Sequence, residues 1–383
     1  MKTTHFFTAL IIFCLIGFQA GAQKYAIGEK VTLNSSVLDE TRSILVYTPE
    51  TYDLGAQHYP VMYLLDGTAH FHHVSGIVRF LAGNGLMPEI IVVAIENVDR
   101  TRDFSPTHVD KYPTTGGAKQ FMAFLTDELI PMVETNYRTE PYRMLVGHSF
   151  GGEFATYALL DYPEVFKGII AISPYMQYDD GYIVKHARTA LRPEYDNVRF
   201  YMTVGNEPDY FETLDEFENL LESKTPKGLD FAFVKMLDEN HGSIPHLSVY
   251  FGLEAIFNGW GVSNTTFNLG LAAIDFHYQD LSAKYGYTIK TPEYTINLLG
   301  YNYLNKEDFD EAIRVFKENV KRYPSSANVY DSLGEAFEKS GKNAQAEKNY
   351  AKAVELAEKV NHPNLAIYKK NLERMQKENT AKK

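Results

Sequence analysis

A chain of 383 residues with 45% hydrophobic and 22% charged residues is long enough for more than one domain and is globular in composition, which excludes a disordered or fibrous polypeptide. Its net charge of −12 is uneven: residues 293–383 hold 16 basic and 14 acidic residues, which with Lys2 in residues 1–22 leaves −15 for residues 23–292, a charge repelled by nucleic acid and by anionic membrane surfaces. The single cysteine, Cys14, excludes disulfides, a thiol nucleophile and a thiolate metal site from everything downstream of it.

Residues 1–22 open with Lys2, continue through an apolar run at 6–18 and end in Ala20-Gly21-Ala22. That order predicts a secretory signal peptide cleaved before Gln23 and an exported protein, periplasmic or secreted. The apolar run is short for a membrane span, and Phe13 stands before Cys14 where a lipoprotein signal needs a small residue.

From 41 to 262 short apolar runs alternate with helical stretches, the pattern of βαβ units and a mostly parallel sheet covered on both faces. Strands are predicted at 43–48, 61–65, 90–95, 144–146, 168–172, 200–204 and 231–237, with helices at 118–135, 152–161, 211–223 and 247–257. In such sheets ligands bind at the carboxyl ends of the strands. The loop after 61–65 carries Gly67 and Thr68, then His70, His72 and His73. A metal would need further fixed ligands around these histidines, so they are read as lining the mouth of a site or opening a helix. After 90–95 comes Asp99-Arg100-Thr101-Arg102-Asp103. Its arginines could hold a substrate carboxylate or catecholate, though alternating charges more often pair with each other.

The strand at 144–146 breaks into Gly147-His148-Ser149-Phe150-Gly151-Gly152 and then a helix. A serine hydroxyl is a weak nucleophile unless a sharp strand-to-helix turn holds it beside a base and backbone N–H donors, and Gly147 and Gly151 let the chain make that turn. In this arrangement an acid and then a histidine follow the serine. His241, in the polar loop Asp238-Glu239-Asn240-His241-Gly242-Ser243, has the position of the base. Gly205-Asn206-Glu207-Pro208-Asp209 follows 200–204, and Glu207 is preferred as the acid because it lies nearer the strand end and Pro208 stiffens the turn; Asp209 stays the alternative. The oxyanion hole would take one N–H from Phe150 and one from Gly67 or Thr68. His148 is read as a packed neighbour of the nucleophile, and Tyr175 as lying near the acyl pocket.

Residues 263–291, rich in Asn, Thr, Tyr and Gly, read as a connector. Beyond it, Leu299-Gly300, Tyr303, Ala312 and Phe316 recur 34 residues later as Leu333-Gly334, Phe337, Ala346 and Tyr350. Pro324 closes the first copy, and this period matches tetratricopeptide repeats. A final capping helix is predicted at 364–376. Two repeats are too few to stand alone, so they are expected to dock on the hydrolase domain or to pair between chains.

The stretches Tyr59-Pro60-Val61-Met62-Tyr63-Leu64-Leu65-Asp66-Gly67, Gly147-His148-Ser149-Phe150-Gly151-Gly152 and Asn240-His241-Gly242-Ser243 resemble the esterase family of α/β-hydrolases that includes enterochelin esterases and the esterase D type. The resemblance covers about 41–258 and implies the α/β-hydrolase fold, Ser149 as nucleophile, His241 as base and an acid near Glu207. The expectation is an exported serine esterase at 23–262, a connector at 263–291 and helical repeats at 292–383, with no cofactor and no metal. Its substrate would be a small-molecule or polysaccharide-linked ester, and the repeats could hold a protein partner or a second copy. Two other readings use the same residues: a protein-binding module on a vestigial hydrolase scaffold, and an acyltransferase.

Overall fold

A computed structural model describes residues 26–381, so the signal peptide and cleavage point expected at 1–22 lie outside the described residues. An eight-stranded sheet runs in the order β1-β2-β4-β3-β5-β6-β7-β8. The strands are β1 (Glu29–Ser35), β2 (Glu40–Tyr47), β3 (Tyr59–Leu64), β4 (Ile91–Ile95), β5 (Thr139–His148), β6 (Gly168–Ile172), β7 (Glu194–Val204) and β8 (Lys227–Lys235). β2 is antiparallel to both β1 and β4, and every other pairing is parallel. β3, β4 and β6 are buried at every residue, as continuous apolar runs under helices on both faces must be. β8 begins four residues before the expected 231–237, because β7 is also longer and pairs with it from Glu194 opposite Lys227.

The helices of this layer are α1 (Gly67–Gly83), α2 (Arg100–Phe104), α3 (Ala118–Phe124), α4 (Ile130–Asn136), α5 (Phe150–Asp161), α6 (Tyr178–Ala190), α7 (Pro208–Lys224) and α8 (Ile244–Ile256). The single helix expected at 118–135 is α3 and α4 joined by a π turn at Leu125–Leu129. One apolar layer packs α3 to α7 on the sheet through Phe121, Phe154, Leu214 and Phe217. The other packs α1 and α8 through Val74, Ile77, Val249 and Leu253.

The connector reading is corrected at 264–285, which forms α9 (Asn264–Asn268) and α10 (Leu271–Tyr285). Ser263 caps α9 by accepting from Thr266 N, and Leu271, Ile274, Tyr278, Leu281 and Tyr285 form a buried stripe on α10. The Tyr285 hydroxyl donates to Ile256 O at 3.0 Å, and its ring lies 5.4 Å from Tyr142 and 5.8 Å from Trp260. Helices α11 (Glu293–Asn305) with α12 (Phe309–Arg322), and α13 (Ala327–Lys339) with α14 (Asn343–Lys359), form two hairpins, and α15 (Leu365–Ala381) follows. The 34-residue recurrence has a steric cause. A Cβ on Gly300 would lie 2.4 Å from the Phe316 ring and one on Gly334 2.8 Å from the Tyr350 ring, so each hairpin needs a glycine where its partner's aromatic ring lies. The repeats do dock on the sheet domain: Ile296, Leu299 and Val315 share one apolar cluster with Ile274, Met62 and Met144.

Glu153 in α5 is wholly buried and neither of its carboxyl oxygens has a hydrogen-bond partner among the described residues. Burial, helped by the charge of Asp179, holds its pKa well above the usual carboxylate range. A raised folded-state pKa leaves stability whole below the unfolded value and erodes it as pH rises. Glu153→Gln is therefore expected to raise Tm by about 5 °C at pH 8 and to leave it unchanged at pH 4, read by paired thermal melts.

Candidate active site

β5 carries the chain to Ser149, which has φ 60° and ψ −118°. Such a conformation for a non-glycine residue persists only where its surroundings impose it. Here the Ser149 N–H donates to Ile172 O at 2.9 Å, and its carbonyl accepts from Glu153 N at 3.0 Å and Tyr175 N at 3.1 Å. A Cβ on Gly147 would sit 2.0 Å from the Gly151 carbonyl oxygen. On Gly151 it would come only to 3.2 Å from Asp66 Oδ2, whereas on Gly152 it would meet Ile172 O at 2.9 Å. The second indispensable glycine of the elbow is thus Gly152 rather than Gly151.

The acid and the imidazole come from the two loops beyond. His241 follows β8, and its Nδ1 pairs with Glu207 Oε1. Glu207 lies three residues beyond β7 and directly before α7; it is 9% exposed, and its Oε2 accepts from Ser173 Oγ at 2.5 Å and from Gly205 N at 3.1 Å. The Asp209 carboxylate is exposed and is not the partner of His241; among the described residues it is the Asp209 backbone carbonyl that is engaged, by Gln177 Nε2 at 2.6 Å. The His241 ring lies 4.4 Å from the ring of His148, next to Ser149, and 5.8 Å from the ring of Tyr210. Burial, followed by the Glu207 charge, pushes the Tyr210 pKa up to about 12, and the Ser149 side chain acts on it in the opposite direction. Between these groups opens a cavity of about 360 Å³ lined by Asn206, Glu207, Pro208, Asp209, Tyr210 and His241. Sequence reasoning missed Tyr210; its signal was an aromatic residue in the first turn after the candidate acid.

Phe150 opens α5 and Gly67 opens α1, so both amides lie in first turns without an intrahelical acceptor, as does Thr68. A Cβ on Gly67 would lie 2.9 Å from Ile95 O, which holds the start of α1 against the end of β4. Arg100 braces this corner. Its guanidinium grips Asp66 at 2.6 and 3.0 Å and donates to His148 O at 2.9 Å, tying the β3 loop to the end of β5. Arg102 pairs with Asp103 and Glu40, and Asp99 caps α2 by accepting from Arg102 N. The arginines of 99–103 are thus engaged by protein carboxylates rather than left open for a substrate.

The histidine cluster does open a helix, α1. His70 Nδ1 and His73 Nε2 are 3.0 Å apart, the His70 ring is 5.8 Å from His148, and His72 is exposed. Burial, then neighbouring imidazoles, lower His148 to about 3 and His73 to about 4, so both stay neutral through the physiological range. Among the described residues no three His, Cys, Asp or Glu side chains converge as metal ligands.

Ser173, the residue after β6, is fully buried with φ 39°, and its side-chain hydroxyl donates to Glu207. Hydrogen bonds to charged groups contribute about 1.5–3 kcal/mol. Ser173→Ala is expected to lower kcat about tenfold with KM little changed, and to add almost nothing in a Glu207→Gln background, a double-mutant cycle read by steady-state kinetics.

A family model described as "Putative esterase" matches residues 35–251, and a tetratricopeptide-repeat model matches 294–326 and 327–360. Ferri-bacillibactin esterase BesA of Bacillus subtilis is 33% identical over 148 residues, covering 33% of this chain and 51% of the relative, so the chain spans about half of that protein's length. An IroE-like serine hydrolase from Shewanella oneidensis superposes with a TM-score of 0.68 at 26% identity, over 77% of this chain and 99% of the other. An uncharacterised protein from Capnocytophaga ochracea shares the fold over 91% of this chain and 99% of its own, with a TM-score of 0.60 and 20% identity.

Proposed function

The chain belongs to this esterase family, carries two tetratricopeptide repeats and is a carboxylic-ester hydrolase; from that premise we propose that it is exported and works through an acyl-enzyme on Ser149. The observation that carries the proposal is the His241–Glu207 pair at the cavity, with the His241 ring 4.4 Å from that of His148, the sequence neighbour of a serine held at a strained elbow. Glu207, fixed by Ser173 and Gly205, accepts the Nδ1 proton of His241 and so leaves Nε2 free to act as base. His241 takes the Ser149 proton as Oγ attacks the ester carbonyl, and the Phe150 amide with the Gly67 or Thr68 amide receives the developing oxyanion. The imidazolium protonates the leaving alcohol, and water, deprotonated by the same ring, releases the acid. The leader at 1–22 supports export, with the catalytic unit at 23–262 and the repeats at 292–383. The name of BesA directs the first natural-substrate assays to siderophore esters.

A fluorophosphonate probe tests the nucleophile. It is expected to label the chain stoichiometrically and to place its adduct, by peptide mass spectrometry, on Ser149. Labelling of another residue, or none under conditions in which ester is hydrolysed, would overturn the assignment.

A further inference from the structure

The residue considered as triad acid and not used as one lines the active-site cavity. Asp209 and His241 line the same cavity, and the Asp209 carboxylate is exposed and makes no ion pair or side-chain hydrogen bond among the described residues. None of the six lining residues carries a fixed positive charge. Arg100, the cation braced behind the elbow, is engaged by Asp66 and the His148 carbonyl. The segment that builds this side of the cleft, residues 205–241, holds ten acidic and three basic residues. Tyr210, which also lines the cavity, ends a row of aromatic rings: it is 5.8 Å from His241 and 5.8 Å from Tyr175, and Tyr175 is 5.1 Å from Phe150, whose ring the Arg100 guanidinium approaches at 5.9 Å. All three carbon rings are only partly buried. An unpaired carboxylate in a cavity that a partly buried tyrosine also lines attracts an organic cation by charge and by the ring's negative face, and repels an anion.

Resting on the serine-esterase reading above, we propose that this cleft selects esters bearing a positively charged group, such as an ammonium on the leaving alcohol or on the acyl chain, and that Asp209 sets the preference. Asp209 also lies in the first turn of α7, where a carboxylate suits the helix dipole. That role would appear in Tm and not in a choice between substrates.

The full chain should be assayed on p-nitrophenyl acetate, on the cationic thioester acetylthiocholine and on its uncharged isostere 3,3-dimethylbutyl thioacetate. The expected kcat/KM ratio of cation to isostere is about fivefold in 10 mM salt, falling toward one in 1 M salt as the charges are screened. Asp209→Asn is expected to bring the low-salt ratio close to one. Glu222→Gln removes the same charge from an exposed site at the far end of α7 and is expected to keep the ratio. Ser149-dependent hydrolysis of p-nitrophenyl acetate without a cation preference, or with neither thioester cleaved, overturns this inference and leaves the esterase reading standing. A ratio that Asp209→Asn does not move, or that Glu222→Gln moves equally, overturns the role of Asp209. Hydrolysis of no ester at all overturns the esterase reading and this inference with it.

Discussion

Alanine at Ser149 is expected to lower kcat/KM for p-nitrophenyl acetate by about ten-thousand-fold or more, with Tm within about 2 °C of wild type. In the proposed mechanism the hydroxyl is the attacking group, so its loss would leave only the first-turn amides at Phe150 and Gly67 to act on the carbonyl. His241→Ala is expected to cost about as much. The double variant should be no worse than either single one, because the two side chains act as a unit. Glu207→Gln should cost less, about a thousandfold, since it disturbs the imidazole's tautomer and orientation rather than removing a reacting group. Initial rates on the four proteins decide the matter, and a Ser149→Ala protein of near wild-type rate would remove the nucleophile from the mechanism.

The largest expected loss of stability lies away from the cleft, at Arg42→Met. Arg42 is 0% exposed and its partner Asp103 1%, joined at 2.6 Å, with the guanidinium over the rings of Phe121 at 5.4 Å and Phe124 at 5.7 Å. Removing one member of a buried pair strands the other charge and costs about 3–5 kcal/mol. Arg102, which also reaches Asp103, is partly exposed and already shared with Glu40. Melting is expected about 5–15 °C lower for Arg42→Met. Replacing both partners, Arg42→Met with Asp103→Leu, should recover most of the loss, because no uncompensated charge then remains. A double variant as unstable as the single one would mean that shape, not charge, makes Arg42 necessary.

The elbow was legible from sequence because its requirements are local: an apolar strand, small residues around the serine and a helix after it. The choice between Glu207 and Asp209 was not, since the two lie in one loop and differ by contacts 34 residues away in both directions, to Ser173 and to His241. β1 escaped notice as an edge strand whose residues are mostly exposed or half-buried, with little apolar periodicity to read. α6 was hidden by Asp179, Asp180 and Gly181, which take left-handed conformations at φ 47°, 57° and 74° inside it. α10 was hidden by composition: tyrosines supply much of its buried stripe, and their polar tips made the segment look like a linker. The arginines of 99–103 could not be assigned without knowing that Asp66 and Glu40 approach them from other strands.

The apolar mass under α10 has a consequence for how the molecule can be used. Val315, two helices beyond α10, and Met62, at the centre of the sheet, belong to one continuous interior, with Trp260 and Tyr285 between them. Trimming the chain at its apparent seam would bare a tryptophan and a belt of tyrosines to water. The C-terminal arm is therefore a fixed handle rather than a tethered accessory, and any polypeptide that settles on its outer helices is held at a constant bearing from Ser149.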